Sequence, residues 1–339
     1  MSKPPTASAA AFGGVPLGYG YGSGLICGFK LDAAEACDED WSSAPDARGG
    51  PRWLHFNLSD SRARAWLKSR KNLPEAALDL LLDADPRIHL EVLPGGIAAV
   101  LGDLYHDFDD DPERLGSVRL YLDASLFLSG RTHPLKSVDV LRHELTRNNE
   151  PLTTLAVFER LIEQLAASLG RVIAKLTHQV DSAEDRILEG KHGGESTRLG
   201  NLRRLVVRLR RLVGANRTAL LSLPAKLSGL YDADEREGLR SAIERLEAVG
   251  QDLDLVQERA RLLQEEIAAR VGEATNRNLF VLSIATTTLL PITLITGIWG
   301  MNLGGLPLAN SPHGFHVVMF VITVAVLLAL WLLRRLGAL

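Results

Sequence analysis

The stretch NRNLFVLSIATTTLLPITLITGIWGMN, Asn276 to Asn302, decides how this chain is read. From Leu279 to Trp299 it runs about 21 positions without a charge, enough for a helix to cross a hydrocarbon core of roughly 30 Å. After the segment GMNLGGLPLANSPHG at 300–314 comes a second apolar run, Phe315 to Leu333, and no Lys, Arg, Asp or Glu occurs anywhere between Leu279 and Leu333. Two adjacent charge-free segments of this length predict two membrane spans, 276–299 and 315–333.

The flanking charges set the orientation. Arg270 and Arg277 precede the uncharged run of the first span, Arg334 and Arg335 follow the second in the basic end 334–339, and the segment between the spans has none. By the positive-inside rule both termini lie in the cytosol, the loop 300–314 faces outward, and the protein sits in the plasma membrane in contact with lipid.

Within the first span Asn276, Leu279, Ser283, Thr286, Leu290, Thr293 and Gly297 recur at spacings of three and four, so they share one helix face. Such a stripe serves either as a seam where small and hydroxylated residues let helices approach, or as a pore lining where oxygens face a hydrated cation and leucines form constrictions. The second reading needs several copies around an axis. After Gly297 the glycines free the backbone to leave the helix, and Asn302 offers a neutral carbonyl oxygen. That oxygen can hold the water shell of a divalent ion without the grip of a carboxylate. His313 and His316, three apart beside the outer loop, are either transient ligands for a transition metal or ordinary interfacial residues.

The rest of the 339-residue chain is charged and polar. Overall it is 46% hydrophobic and 23% charged, with a formal net charge of -3 that argues against nucleic acid as a partner. Cys27 and Cys37 form no disulfide framework. Residues 1–23, rich in Ala, Gly, Ser and Pro, read as a flexible tail; no Gly-Lys-Ser/Thr turns their glycines into a phosphate loop. Residues 24–134 read as a cytosolic α/β domain. The stretches GLICGFKLD, PRWLHFNL, RIHLEVL, GIAAVLGDLYHD and SVRLYLDASLFLSG carry strand character; SRARAWLKSRK and PEAALDLLLDA are helical, with Pro74 in a first turn.

From 135 to 275 helical periodicity takes over and predicts a stem. One helix ends at the breaker Gly190 to Gly194, a second runs from about Glu195 to Leu223, and a third starts near Asp232. Its apolar positions are Leu239, Ile243, Leu246, Val249, Leu253, Val256, Leu263, Ile267 and Val271, and no proline interrupts it before Pro291. It can therefore continue into the bilayer as one helix of about 65 residues, roughly 100 Å long, which needs neighbours from its own chain and from further copies. The second helix is basic, with Arg198, Arg203, Arg204, Arg208, Arg210, Arg211 and Arg217, and is expected to face Glu258, Glu265 and Glu266 of the third or water. The acidic HDFDDDPE, His106 to Glu113, lacks the glycine and final glutamate of a calcium loop and reads as a solvated turn. No HExxH, GxSxG or Cys-x-x-Cys occurs, and the lone His55, His89, His133 and His143 read as structural. No enzyme and no resident cofactor is expected.

Gly300-Met301-Asn302, between two C-terminal spans and behind a long helix, resembles the signature of the CorA-type divalent metal transporter family, and the whole stretch from Asn276 to Asn302 is similar to that family's first span. The resemblance implies a homopentamer with Asn276, Leu279, Leu282, Leu290, Thr293 and Asn302 facing a central pore, and Gly300, Met301 and Asn302 at the outer mouth. NLGGLP, Asn302 to Pro307, is similar to the ZntB zinc-transporter branch, whereas Met301 is the residue of the magnesium branch. Ser241 stands where some magnesium channels have an acidic sensing position. The zinc-branch resemblance implies proton-coupled Zn2+ uptake across the bacterial inner membrane. A Mg2+, Co2+ or Ni2+ channel of the same family is the alternative, and a membrane-anchored scaffold is the rival from another class.

Overall fold

The computed structural model describes residues 24–32, 35–36, 50–107, 114–147, 150–190, 194–227, 231–301, 306–307 and 311–335. The tail 1–23, Cys37, most of the acidic turn and Asn302 lie outside them. The chain divides into two compact units, Met1–Arg261 and Leu262–Leu339.

The first unit holds a seven-stranded sheet of β1 (Leu25–Lys30), β2 (Glu35–Ala36), β3 (Arg52–Asn57), β4 (His89–Leu93), β5 (Gly96–Leu104), β6 (Leu115–Asp123) and β7 (Leu126–Arg131), in the order β2-β1-β3-β7-β6-β5-β4. β3 and β7 pair in parallel, and the other neighbours are antiparallel. The stretch SVRLYLDASLFLSG, read above as one strand segment, is a hairpin. Its turn is set by Asp123, whose Oδ1 accepts from the Ser125 N–H, the Ser125 hydroxyl and the Leu126 N–H at 2.8–2.9 Å.

Helices α1 (Ser61–Ser69) and α2 (Glu75–Leu82) cover one face, burying Ala63, Leu67, Ala77 and Leu81 against Leu54, Phe56, Ala98, Val100 and Leu128. Pro74 caps α2 rather than lying in its first turn. Trp53 lies stacked with Phe29 and Phe127, and Phe127 meets Phe158 edge-on. α3 (Lys136–Arg147) and α4 (Thr154–Leu188) pack against the sheet as well. Covered in this way, β5 is buried along its whole length.

Several buried polar groups are satisfied by side chains distant in sequence. β4 pairs only with Gly96–Val100 of β5, so β5 loses that neighbour beyond Val100. At Gly102 the side chain of Asn216, from α5 (Glu195–Leu220), takes the missing strand's place. Its Oδ1 accepts from the Gly102 N–H at 2.8 Å and its Nδ2 donates to the Gly102 carbonyl at 2.9 Å. A Cβ on Gly102 would come within 2.8 Å of Ile88 and Leu212, so only glycine fits between them. Arg119 of β6 donates to the carbonyls of Leu81 and Asp83, closing the end of α2. Asp103 accepts from the N–H and hydroxyl of Ser137 in the first turn of α3, and burial pushes its carboxyl up to about 6. His55 is structural as expected: its Nδ1 lies 2.8 Å from the Ser129 hydroxyl that also accepts from Trp53, and burial holds its pKa well below the usual value.

Gly190 and Gly194, both at positive φ, end α4 and start α5. Glu195 then closes this hairpin, buried and gripped by Arg186 at 2.8 and 3.0 Å and by Arg198 at 2.8 Å. α5 stops at Leu220, and Pro224 opens the single turn α6 (Leu223–Lys226) instead of merely ending its predecessor. The long helix α7 (Ala233–Trp299) contains 67 residues. In its part before the apolar segment Leu239, Ile243, Leu246, Leu253 and Val256 are buried as expected, whereas Val271 is exposed. The arginines of α5 do reach α7, but at other carboxylates than expected. Arg210 binds Asp254 at 2.7 Å and Arg217 binds Glu247 at 2.5 Å, while Glu266 pairs with Arg270 of its own helix. From α4, Asp181 and Glu184 hold Arg259 at 2.7 and 2.8 Å.

The second unit contains the end of α7 and α8 (Gly314–Arg335), both long and apolar enough to cross a membrane. Arg335 lies over the Trp331 ring at the end of α8.

Asn216→Leu, similar in volume, leaves the Gly102 N–H and carbonyl buried without partners. It is expected to destabilise the protein by about 3 kcal/mol, read as a lower midpoint in thermal unfolding. The arginine hydrogen bonds hold the Glu195 carboxyl below its ordinary value of 4.5. Its contribution to stability is therefore full above that pH and is lost as pH falls through the lowered value. Hydrogen exchange at the α4–α5 hairpin is expected to accelerate on acidification, and Glu195→Gln to exchange fast already at neutral pH.

Candidate cation pathway

α7 presents two different faces in the membrane segment. Ile284, Thr287, Thr288, Pro291, Ile292, Ile295 and Trp299 are half-buried. Val318, Ile322, Ala325, Val326, Ala329, Leu330 and Leu333 are half-buried on α8, the other helix described in this unit. The polar stripe lies elsewhere. Asn276, Leu279, Ser283, Thr286, Leu290, Thr293 and Gly297 are all exposed, Leu279 at 55% and Leu290 at 67%, and Leu282 is exposed beside them. The stripe is therefore not the surface on which α7 meets its own chain.

The hydroxyls have a definite polarity. Thr286 donates to the Leu282 carbonyl at 2.8 Å, Thr293 to that of Leu289 at 2.8 Å, and Thr296 to that of Ile292 at 2.9 Å. Each proton is thus held by the helix's own backbone, and what remains outward is oxygen lone pairs. A row of neutral acceptors suits a hard cation or its water shell. Thr296 was missed in the sequence reading. It lies three residues beyond Thr293, but the heptad step places Gly297 on the stripe instead.

Pro291 sits inside the helix and offers no N–H to the Thr287 carbonyl four residues back, yet α7 continues to Trp299. At the helix end the Gly300 N–H donates to the Thr296 carbonyl at 2.8 Å, and a Cβ on Gly300 would lie 2.9 Å from that oxygen. Glycine is required there by close approach to the backbone. Met301 follows, exposed, and Trp299 Nε1 donates to the Pro307 carbonyl at 3.3 Å, tying the chain beyond the helix back to it. Asn302, the third residue of the motif, is outside the described residues.

His313 and His316 stand at the start of α8, both exposed. The His313 carbonyl accepts from the N–H groups of His316 and Val317 at 3.1 and 3.2 Å, and the His316 ring meets Phe315 edge-on. Among the described residues the two imidazoles gain no third ligand, and no group of three or more His, Cys, Asp or Glu there could hold a metal ion.

Comparison with known proteins agrees with this architecture. The CorA-like Mg2+ transporter protein family matches residues 48–335. The divalent cation transporter CmaX of Pseudomonas aeruginosa is 30% identical over 287 residues, covering 84% of this chain and 86% of that protein. The zinc transport protein ZntB of Yersinia enterocolitica is 27% identical over 313 residues, covering 92% and 95%. Among solved structures, full-length CmaX superposes with a TM-score of 0.79 at 29% identity over 93% of this chain and 98% of its own. The CorA magnesium transporter from Methanocaldococcus jannaschii gives 0.76 at 19% identity over 92% and 98%, a likeness of fold alone. With a match that spans five of the seven described strands and the two apolar C-terminal helices, this chain belongs to the CorA-like Mg2+ transporter protein family, whose members are transporters and not enzymes.

Proposed function

We propose that this chain takes up Zn2+ across the bacterial plasma membrane, coupled to protons, through a central pore built by five copies of α7, with both termini in the cytosol. The observation that carries the reading is the exposed stripe from Asn276 to Gly297, whose threonines turn lone pairs outward along the charge-free run from Leu279 to Trp299. In contact with lipid these oxygens would be poorly solvated. Around a shared axis they line a water-filled path in which a hydrated or partly hydrated ion moves past oxygen acceptors while Leu279, Leu282 and Leu290 narrow the passage. Without a carboxylate in the stripe, the ion is held weakly enough to leave again.

Gly300, Met301 and Asn302 form the outer mouth in this reading, and His313 and His316 gather Zn2+ beside it, since imidazole favours a transition metal over Mg2+. The choice of Zn2+ rests on NLGGLP and on the similarity to ZntB proteins over most of the chain. Met301 supports the second reading, a Mg2+ channel.

Three measurements test this. Zn2+ is expected to enter liposomes containing the purified protein, faster with an inward proton gradient, and Asn302→Ala to slow entry about tenfold, the equivalent of about 1.4 kcal/mol. Entry of Mg2+ alone would make Mg2+ the cargo; no entry of either ion into liposomes with folded, assembled protein would favour a membrane anchor. Thr293→Val keeps the shape and removes the oxygen, so uptake should fall several-fold with assembly intact, whereas a pure packing seam would tolerate it. His313→Ala with His316→Ala should raise the Zn2+ concentration for half-maximal uptake and leave any Mg2+ entry unchanged.

A further inference from the structure

Between α4 and α5, in the unit that bears the sheet, lies a cleft of about 570 Å³, within the roughly 300–1,000 Å³ typical of small-molecule sites. Lys175, Ser182 and Arg186, seven and four residues apart on one face of α4, form one wall, and Arg198 of α5 stands on the other. The floor is apolar, with Leu199, Leu202 and Leu205 buried there, whereas Lys175 and Ser182 are exposed at the mouth. Among the described residues no Asp or Glu lines it.

Elsewhere in this unit arginines meet carboxylates. Arg210 pairs with Asp254 and Arg217 with Glu247, and a second cleft, lined by Arg236 and Arg240, also contains Glu237, Glu244 and Glu247. That second cleft has no surplus of positive charge to offer an anion. In the α4–α5 cleft the balance is different, because two guanidiniums share the one buried carboxylate behind it. Arg186 engages both oxygens of Glu195, at 2.8 and 3.0 Å, and Arg198 adds a bond at 2.8 Å. One guanidinium already neutralises that carboxylate, so the second leaves positive charge at the cleft. Asp185 and Glu189 also act on Arg186, but both are exposed and neither lines the cleft, so water screens their fields. The shared carboxylate has another effect. It fixes both guanidiniums before any ligand arrives, so binding loses little further side-chain freedom.

We propose that this cleft binds a small phosphomonoester, whose oxygens accept from Arg186, Arg198 and Lys175 while its organic body lies over the leucine floor. Guanidinium presents paired donors that match phosphate oxygens, and the Lys175 ammonium supplies a point charge at the mouth. A ligand held from both walls ties α4 to α5, the helices that grip Arg259 and Asp254 of α7. The site is independent of which cation is carried. Its chemistry is offered both by a soluble organic phosphate and by the headgroup of phosphatidic acid.

The test uses the full-length protein in detergent micelles, freed of metal by a chelator. Adenosine monophosphate is expected to bind in calorimetry and to raise the thermal unfolding midpoint, and adenosine to do neither. Lys175→Gln, and separately Ser182→Asp, which puts a carboxylate in the cleft, should weaken that binding by about tenfold or more. Neither variant touches Glu195, so the midpoint without ligand should stay where it is. In lipid nanodiscs, loss of nucleotide binding when phosphatidic acid is added to phosphatidylcholine would make the lipid headgroup the occupant, and unchanged binding would assign the cleft to a soluble phosphate. Adenosine binding as tightly as its monophosphate, or nucleotide binding that Ser182→Asp leaves intact, would overturn the site. Inorganic phosphate binding as tightly as the nucleotide would overturn the role of the leucine floor. If the nucleotide does not bind in micelles and phosphatidic acid gives no midpoint shift that Ser182→Asp abolishes, the inference falls.

Discussion

The backbone ladder of α7 is the constraint from which the rest of the membrane portion follows. In hydrocarbon no water is available to an unpaired amide, so the helix must satisfy its polar groups internally. The same ladder takes up the hydroxyl protons of Thr286, Thr293 and Thr296. A side chain that would otherwise be both donor and acceptor is thereby reduced to an acceptor. The outward surface of the span acquires a sign without acquiring a charge.

The sheet-bearing unit solves a related problem with side chains reaching over long distances in sequence. β5 is buried on every side, so each of its backbone groups needs a partner inside the protein. Asn216 supplies two at Gly102, Ser137 answers the Asp103 carboxylate, and Arg119 takes up the last carbonyls of α2. These contacts bind β5 and β6 to α2, α3 and α5, which makes the sheet and the helices packed on it a single cooperative body. The ion pairs from Asp181, Glu184 and Arg210 to α7 are more exposed and individually weaker.

Much of this was legible in the sequence because it rests on periodicity and charge. The absence of charge from Leu279 to Leu333 gave the spans, and the three-and-four spacing from Asn276 to Gly297 gave the stripe. The hairpin at Asp123 was not legible, since strand character runs through DAS unbroken and only the side-chain geometry of Asp123 reveals the turn. The partners of the basic helix were misjudged because periodicity fixes which face a residue occupies but not the register between two helices. Arg210 consequently meets Asp254 and not Glu258. The role of Asn216 could not be read at all, as it depends on where β4 ends relative to β5, 114 residues away.

The Asn216 bridge also bears on how copies of this protein can meet. A strand that has lost its neighbour invites pairing with a strand from another chain, the usual route to edge-to-edge aggregation. At Gly102 the outward N–H and carbonyl are already engaged by an amide from within the chain, and Leu212 and Ile88 crowd the same spot. This part of the sheet is closed as a template. In a polypeptide whose proposed activity needs several copies to gather, a sealed strand removes a competing mode of association, so the choice of partner surface is left to the helices.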